Sequence, residues 1–445
     1  MNEKAVASTS QGLSVDDGVS ANTRTLLWVL LIVYIFNFLD RQIVNILAEP
    51  IKGHLQLSDT ELGLLAGPAF AVFYALLGIP IARHADREGT NRVRLIALAL
   101  AIWSAMTAVC GLAQNFVQLL LARIGVGIGE AGCTPAAHSL ITDSVAPEKR
   151  SSAIAFYGLG VPIGSLLGLV IGGIVNDLYG WRVALMLVGL PGIILALVIL
   201  IVLREPRHLK PAETVTATTT PPYGQLPTGQ LSTAEALREI FASRAFVFIL
   251  IAASVTAFLG YGKALWTISF FIRSHGLSTT QAGLGMAVVL GLAAAFGTWL
   301  GGKAADKYGA RDKRHILTFP AYGMAIVAPI LFLGYYMEHW LIAMALLVVP
   351  SIVNNAYYGP AYGSVQGLVR PQARAMAASI MLFGQNLIGL GFGPLLFGML
   401  SDYLEPAYGQ ESVRYVLYGA AWLGLIPAFF FWRASLRLSS ELKSG

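Results

Sequence analysis

The run LLWVLLIVYIFNFLDRQIVNIL, residues 26–47, is apolar except for a charged dipeptide, Asp40-Arg41, set well inside it. Its length matches a hydrocarbon core of roughly 30 Å, which about twenty helical residues cross. An ionised group at that depth costs several kcal/mol unless it is paired or faces water, so such groups mark functional sites. Asn37, Asp40, Arg41, Val44 and Asn45 follow i, i+3, i+4, i+7, i+8 and form one stripe on a helix.

The rest of the chain repeats this pattern. It is 56% hydrophobic and 12% charged with a mean hydropathy of +0.66, where soluble domains carry about a quarter charged residues. Apolar runs begin near residues 25, 62, 94, 117, 152, 183, 245, 281, 315, 340, 375 and 413, predicting an all-α polytopic membrane protein with twelve spans. With loops assigned alternately from a cytoplasmic N-terminus, 23 of the 30 Lys and Arg residues fall inside. Lys52, Arg182, Arg273 and Arg414 fall outside, and Arg41, Arg123 and Lys263 lie within spans. The positive-inside rule therefore puts both termini in the cytoplasm of a cell membrane, the bacterial inner membrane by this reading. It also accounts for the net charge of +6, so no nucleic-acid partner is called for. Cys110 and Cys133 sit in apolar runs and read as small core residues.

The organisation follows. Residues 1–24 form a polar cytoplasmic tail without a cleavable-signal pattern, 25–203 a first six-span half, and 204–243 a cytoplasmic linker. Residues 244–435 form a second six-span half and 436–445 a cytoplasmic tail. The linker carries a Thr- and Pro-rich segment, Thr214 to Pro227, then an amphipathic helix opened by a capping box of Ser232 and Glu235, with Leu237, Ile240 and Phe241 as its apolar stripe. Three landmarks recur in order between the halves. Ala82-Arg-His-Ala-Asp86-Arg87-Glu-Gly89 matches Gly302-Lys-Ala-Ala-Asp306-Lys307-Tyr-Gly309. Val145-Ala-Pro147-Glu-Lys-Arg150 matches Val369-Arg-Pro371-Gln-Ala-Arg374, and Asp177 matches Asp402. The offsets are 220, 224 and 225, which argues a duplicated six-helix unit with a site between the repeats.

The Gly/Ala-x-x-x-Asp-Arg/Lys-x-Gly loop, followed by Arg92 and Arg94 in one half and Arg311 and Lys313 in the other, resembles the signature of the major facilitator superfamily. The resemblance covers residues 25–435, with Ala82 departing from the usual glycine. It implies that Asp86, Arg87, Arg92, Asp306, Lys307 and Arg311 form a cytoplasmic conformational gate. A loop carboxylate can cap a neighbouring helix N-terminus while its basic partners take carbonyls or acids.

Asn37-Phe-Leu-Asp40-Arg41, Leu57-Ser58-Asp59-Thr60 leading to Gly63-Leu64-Leu65, and Arg123-Ile-Gly125-Val-Gly127-Ile-Gly129-Glu130-Ala131 resemble the Spinster family of that superfamily, known in animals as lysophospholipid and sphingosine-phosphate transporters. The resemblance makes Asp40, Arg41, Arg123 and Glu130 the polar core of a translocation path. Arg123 and Glu130, seven apart, share a helix face with Gly127 between them. Burial and a nearby guanidinium pull a carboxylate's proton affinity in opposite directions, as proton coupling requires. Glu130 is preferred to Asp40 as proton carrier because a fixed cation adjoins Asp40. Arg41, Arg123 and Asn37 are expected to bind substrate, together with Lys263, Tyr261, Asn354 and Tyr358 from the second half. Gly160, Gly164, Gly168 and Gly172 give span 5 a smooth packing ridge. Val161 precedes Pro162 where the antiporter pattern has Gly, while Gly393-Pro394 occurs in span 11.

No phosphate loop, metal-ligand cluster or nucleophile-base spacing stands in the sequence, which argues against an enzyme, a cofactor and a metal. A single buried charge cluster in a duplicated bundle favours alternating access over a channel. The expected function is proton-coupled transport of an anionic or zwitterionic amphiphile by a monomer, with import of small organic or sugar acids as the alternative.

Overall fold

The computed structural model describes residues 21–87, 89–146, 149–208 and 233–442. The Thr- and Pro-rich part of the linker, Ser232 and most of the N-terminal tail lie outside the described residues. Spans 1 to 10 are Asn22–Ile46, Asp59–Asp86, Arg92–Cys110, Phe116–Ser144, Ser152–Tyr179, Trp181–Val202, Arg244–His275, Thr279–Gly309, His315–Tyr336 and Trp340–Leu368. Pro371–Glu441 holds two more, 371–408 and 412–441, parted by a short turn at Gly409–Glu411. Twelve spans place the start of span 1, the end of span 12, the end of span 6 and the start of span 7 on one face, the terminal face.

Span starts are written in the sequence. Asn91, Asn115 and Ser243 accept hydrogen bonds from the backbone N–H groups of Arg94, Gln118 and Phe246 and so cap spans 3, 4 and 7. Ser58 with Glu61, and Ser278 with Gln281, form full capping boxes at spans 2 and 8. Span 5 ends at Gly180, whose φ of 84° is open to glycine at no steric cost.

Glycines set the packing of span 5 on span 1. A side chain at Gly164 would strike the Ile35 carbonyl, and one at Gly168 the Leu39 carbonyl, so the two backbones meet directly. Helical continuity breaks at matched places. Span 2 breaks at Gly67 and span 5 at Leu159, while spans 8 and 11 carry π-helical stretches at Ala287–Ala293 and Gln385–Phe392. These four helices meet across the halves.

The linker helix, Thr233–Ala242, docks beneath the second half. Ile240 is buried, Glu239 accepts from Arg370 Nε at 2.7 Å, and Glu441 accepts from the Ser243 hydroxyl at 2.7 Å. Its expected apolar stripe is divided: Ile240 enters the protein core, whereas Leu237 and Phe241 are exposed.

Candidate functional site

Half-buried Arg41, buried Arg123 and two buried acids, Asp40 and Glu130, meet between spans 1, 3 and 4 of the first half. Arg41 Nε donates to Glu130 Oε2 at 2.7 Å. The guanidinium stands over Phe38, Phe70 and Tyr74, with 5.1, 4.9 and 4.8 Å to the ring centroids, a cation–π cradle on three sides. Arg123 lies over the same Phe70 ring at 5.4 Å, with Nε 3.5 Å from the Leu65 carbonyl. Phe70 thus contacts both cations. Gly127 allows the approach, since a side chain there would strike the Phe70 backbone.

Asp40 and Arg41 do not pair. Neighbouring residues on an α-helix point about 100° apart, which sends each to a different partner helix. Asp40 is buried and accepts from the Thr107 hydroxyl at 2.6 Å, and its other oxygen has no partner among the described residues. The sequence premise that a fixed cation serves Asp40 is therefore corrected: that cation serves Glu130. Thr107 left no signal in the sequence, being one hydroxyl in an apolar span. Asn37, also buried, approaches Glu130 without closing a hydrogen bond, and Glu130 Oε1 is unpartnered.

From the second half, Tyr261 comes close enough to Arg41, Tyr74 and Tyr358 to interact with them electrostatically. Tyr358 stacks on Tyr362 at 6.0 Å, and Tyr362 and Tyr357 both bond the buried Gln385 amide, at 2.7 and 3.1 Å. Lys263 has no carboxylate within 4.0 Å among the described residues. Asn354 is half-buried beside the break in span 10, with no described partner.

The loop residues lie far from this cluster on the terminal face. Asp86, Arg87, Asp306, Lys307 and Arg311 are exposed, and among the described residues none of their side chains pairs with the other half. Arg92 differs: it is fully buried within the first half. Its guanidinium donates to Glu205 at 2.5 Å, to Asp143 at 2.6 Å and to Ser139 at 3.1 Å. Burial pushes the Glu205 carboxyl up, but hydrogen bonds from Arg92 outweigh this and hold it below its ordinary value. Arg207 joins the cluster through Asp143 at 3.1 Å and donates to the Ala85 and Arg87 carbonyls, which ties down the loop carrying Asp86.

On the opposite face the halves are bonded together. Arg273 donates to Glu49 at 2.9 and 2.8 Å and to Asp59 at 2.8 and 2.6 Å, while Lys52 donates to Asp59 at 2.5 Å. The structure thus presents a charge cluster within the first half, approached by Tyr261 of the second, and fastens the two halves on the face away from the termini.

A duplicated twelve-span bundle with an internal charge cluster is the architecture of a membrane transporter. The Major Facilitator Superfamily model matches residues 30–394. An "MFS-type efflux pump" of Mycolicibacterium smegmatis is 31% identical over 415 residues, covering 93% of either chain. A crystal structure of a bacterial homolog to the human lysosomal transporter Spinster, inward-facing and unoccupied, is 32% identical. It superposes with a TM-score of 0.84 over 96% of this chain and 100% of the other. A "Probable L-galactonate transporter" of Escherichia coli is 27% identical over 282 residues, 63% of this chain and 61% of its own. The chain belongs to the major facilitator superfamily, and within it to the Spinster-like transporters.

Proposed function

We propose that the protein carries an anionic or zwitterionic amphiphile of the lysophospholipid or sphingoid phosphate type by proton-coupled alternating access, in a cell membrane with both termini cytoplasmic. The observation that supports this reading is the Arg41–Glu130 pair in its aromatic cradle. A phosphate or carboxylate reaching Arg41 competes with Glu130 for its fork, which suits bidentate anions. The displaced carboxylate, buried and no longer paired, takes up a proton, because an isolated buried charge is costly. Substrate binding and proton binding thereby favour one another. Arg123 and Lys263 add positive potential, Tyr261 and Tyr358 face the headgroup from the second half, Asn37 and Asn354 supply polar contacts, and Asp40 is a second proton-binding carboxyl.

Import of small organic or sugar acids is the second reading, favoured by the similarity to the L-galactonate transporter. The same arginines would serve a compact carboxylate. A thermal-shift screen of purified protein against lysolipids, sphingoid phosphates and short organic acids tests both. Stabilisation by the amphiphiles alone supports the first reading, and stabilisation by sugar acids alone supports the second. In weakly buffered solution the active ligand should draw protons from the medium; binding without proton uptake would remove the coupling.

A further inference from the structure

Asp177 and Asp402 stood out in the sequence as matched landmarks with no task. In the structure each reaches across to the other half. Asp402 in span 11 accepts from the backbone N–H groups of Asp59 at 2.9 Å and Thr60 at 2.7 Å, the first two residues of span 2. Asp177 in span 5 accepts from the Thr280 N–H at 2.8 Å and the Thr279 hydroxyl at 2.5 Å, the first two residues of span 8. The donors are related by the offset of 220 that relates the signature loops, and the acceptors by 225.

The first turn of a helix leaves four N–H groups without internal partners. The capping boxes of Ser58 and Ser278 satisfy only the third helical residue, at Glu61 and Gln281. Asp402 takes the N–H groups of the first two helical residues and Asp177 that of the second, each setting a full negative charge at the positive end of the helix. Beside each one the helices touch through glycine. Side chains at Gly63 and Gly283, one pair by symmetry, would strike the Pro394 and Leu169 carbonyls. Those at Gly398 and Gly173, the other pair, would strike the Asp59 and Thr279 carbonyls.

We propose that these are two symmetry-related clasps, each an aspartate capping a helix of the opposite half, and that together they hold shut the face opposite the termini, external in the orientation proposed above. Only one is reinforced by ions. Asp59 gathers Lys52, Arg273 and the Ser401 hydroxyl, whereas its counterpart Thr279 is neutral and bonded by Asn176. Removing Asp402 leaves the Asp59 ion cluster in place, so the span 5–span 8 clasp is the one that yields to a single substitution.

The test reads the opening directly and does not depend on membrane orientation. Spin labels go at Tyr179→Cys and Tyr403→Cys, exposed sites on that face in opposite halves, with Cys110 and Cys133 replaced by Ala. Distances are measured by pulsed electron resonance on the full chain in nanodiscs. Asp177→Ala should bring in a longer-distance population, Asp402→Ala a smaller one, and the double variant should raise the open-to-closed ratio at least tenfold. An unchanged distribution in a folded double variant overturns the proposal. If the alanine variants do not fold, the Asp177→Asn/Asp402→Asn pair, which drops the charge but keeps an acceptor, is read in the same way. Ser58→Ala/Ser278→Ala weakens the helices' own caps and leaves the clasps, so it should not open the face. Equal opening in that variant would overturn the clasp as the cause.

Discussion

Arg41 is held by Glu130 and three aromatic rings, so its loss removes the proposed anion-binding fork and orphans a buried carboxylate together. Arg41→Gln should weaken binding of the active anionic ligand by about 1.5–3 kcal/mol, the worth of hydrogen bonds to a charged group, as read by calorimetry. Arg41→Gln/Glu130→Gln removes both charges and avoids the orphan; it should be the better folded of the two and equally weak in binding. Glu130→Gln alone takes away the competitor. It should bind at least as tightly as wild type, with an affinity that no longer falls as pH rises, and a preserved pH slope would exclude Glu130 as the coupled group. The Arg92 cluster makes a separate prediction. Glu205 is held below its ordinary proton affinity in the folded chain, so its contribution is present above the usual carboxylate range and is lost as pH falls through the folded value. Glu205→Gln should therefore be less stable than wild type near pH 7, by about 3–5 kcal/mol for breaking a buried pair. In thermal melts the gap should narrow toward pH 3.

Span 5 shows how one span can be tolerant at one position and rigid less than two turns away, across its break at Leu159. Gly158 has open space around it, so Gly158→Ala should be neutral or stabilising by about 0.5–1 kcal/mol through helix propensity. Gly164 lies against the span 1 backbone, and Gly164→Val should cost about 1–3 kcal/mol by overpacking. Melting of the two purified variants in one detergent checks both signs, and equal shifts would mean that span 1 gives way freely. The ridge was legible in the sequence because glycine every four residues marks one face whatever lies opposite. The π-helical stretches of spans 8 and 11 were not legible. They depend on how each helix is strained against its neighbours, and glycine content alone does not locate them.

For the whole molecule, the signature loops and the clasps occupy opposite faces. Asp86 and Asp306 are exposed and, among the described residues, without a cross-half partner in this conformer, so any latch they form belongs to the alternative conformer. Asp86→Asn/Asp306→Asn should then leave the present conformer intact and depopulate the other, because removing a group that is bonded in only one state shifts the equilibrium toward the state where that group was free. Spin-label distances across the terminal face should lose their short component, and transport should slow. Distances identical to wild type would remove the loops from the gating equilibrium.

The sequence by itself determined the membrane class, the twelve spans and the duplication. Spanning segments must be long, apolar and internally hydrogen-bonded, and these are local properties that hydropathy records. It also picked out the charged residues at membrane depth, since each is conspicuous against an apolar run. What only the tertiary structure decided is who pairs with whom. Asp40 and Arg41 are adjacent in the chain yet turn to Thr107 and Glu130, Arg92 leaves the loop it was grouped with for Glu205 and Asp143, and Asp177 and Asp402 find helix ends more than a hundred residues away. A helix fixes the direction of a side chain relative to its own axis, but the partner is chosen by how neighbouring helices are rotated and set against it, and that arrangement emerges only when all the spans pack.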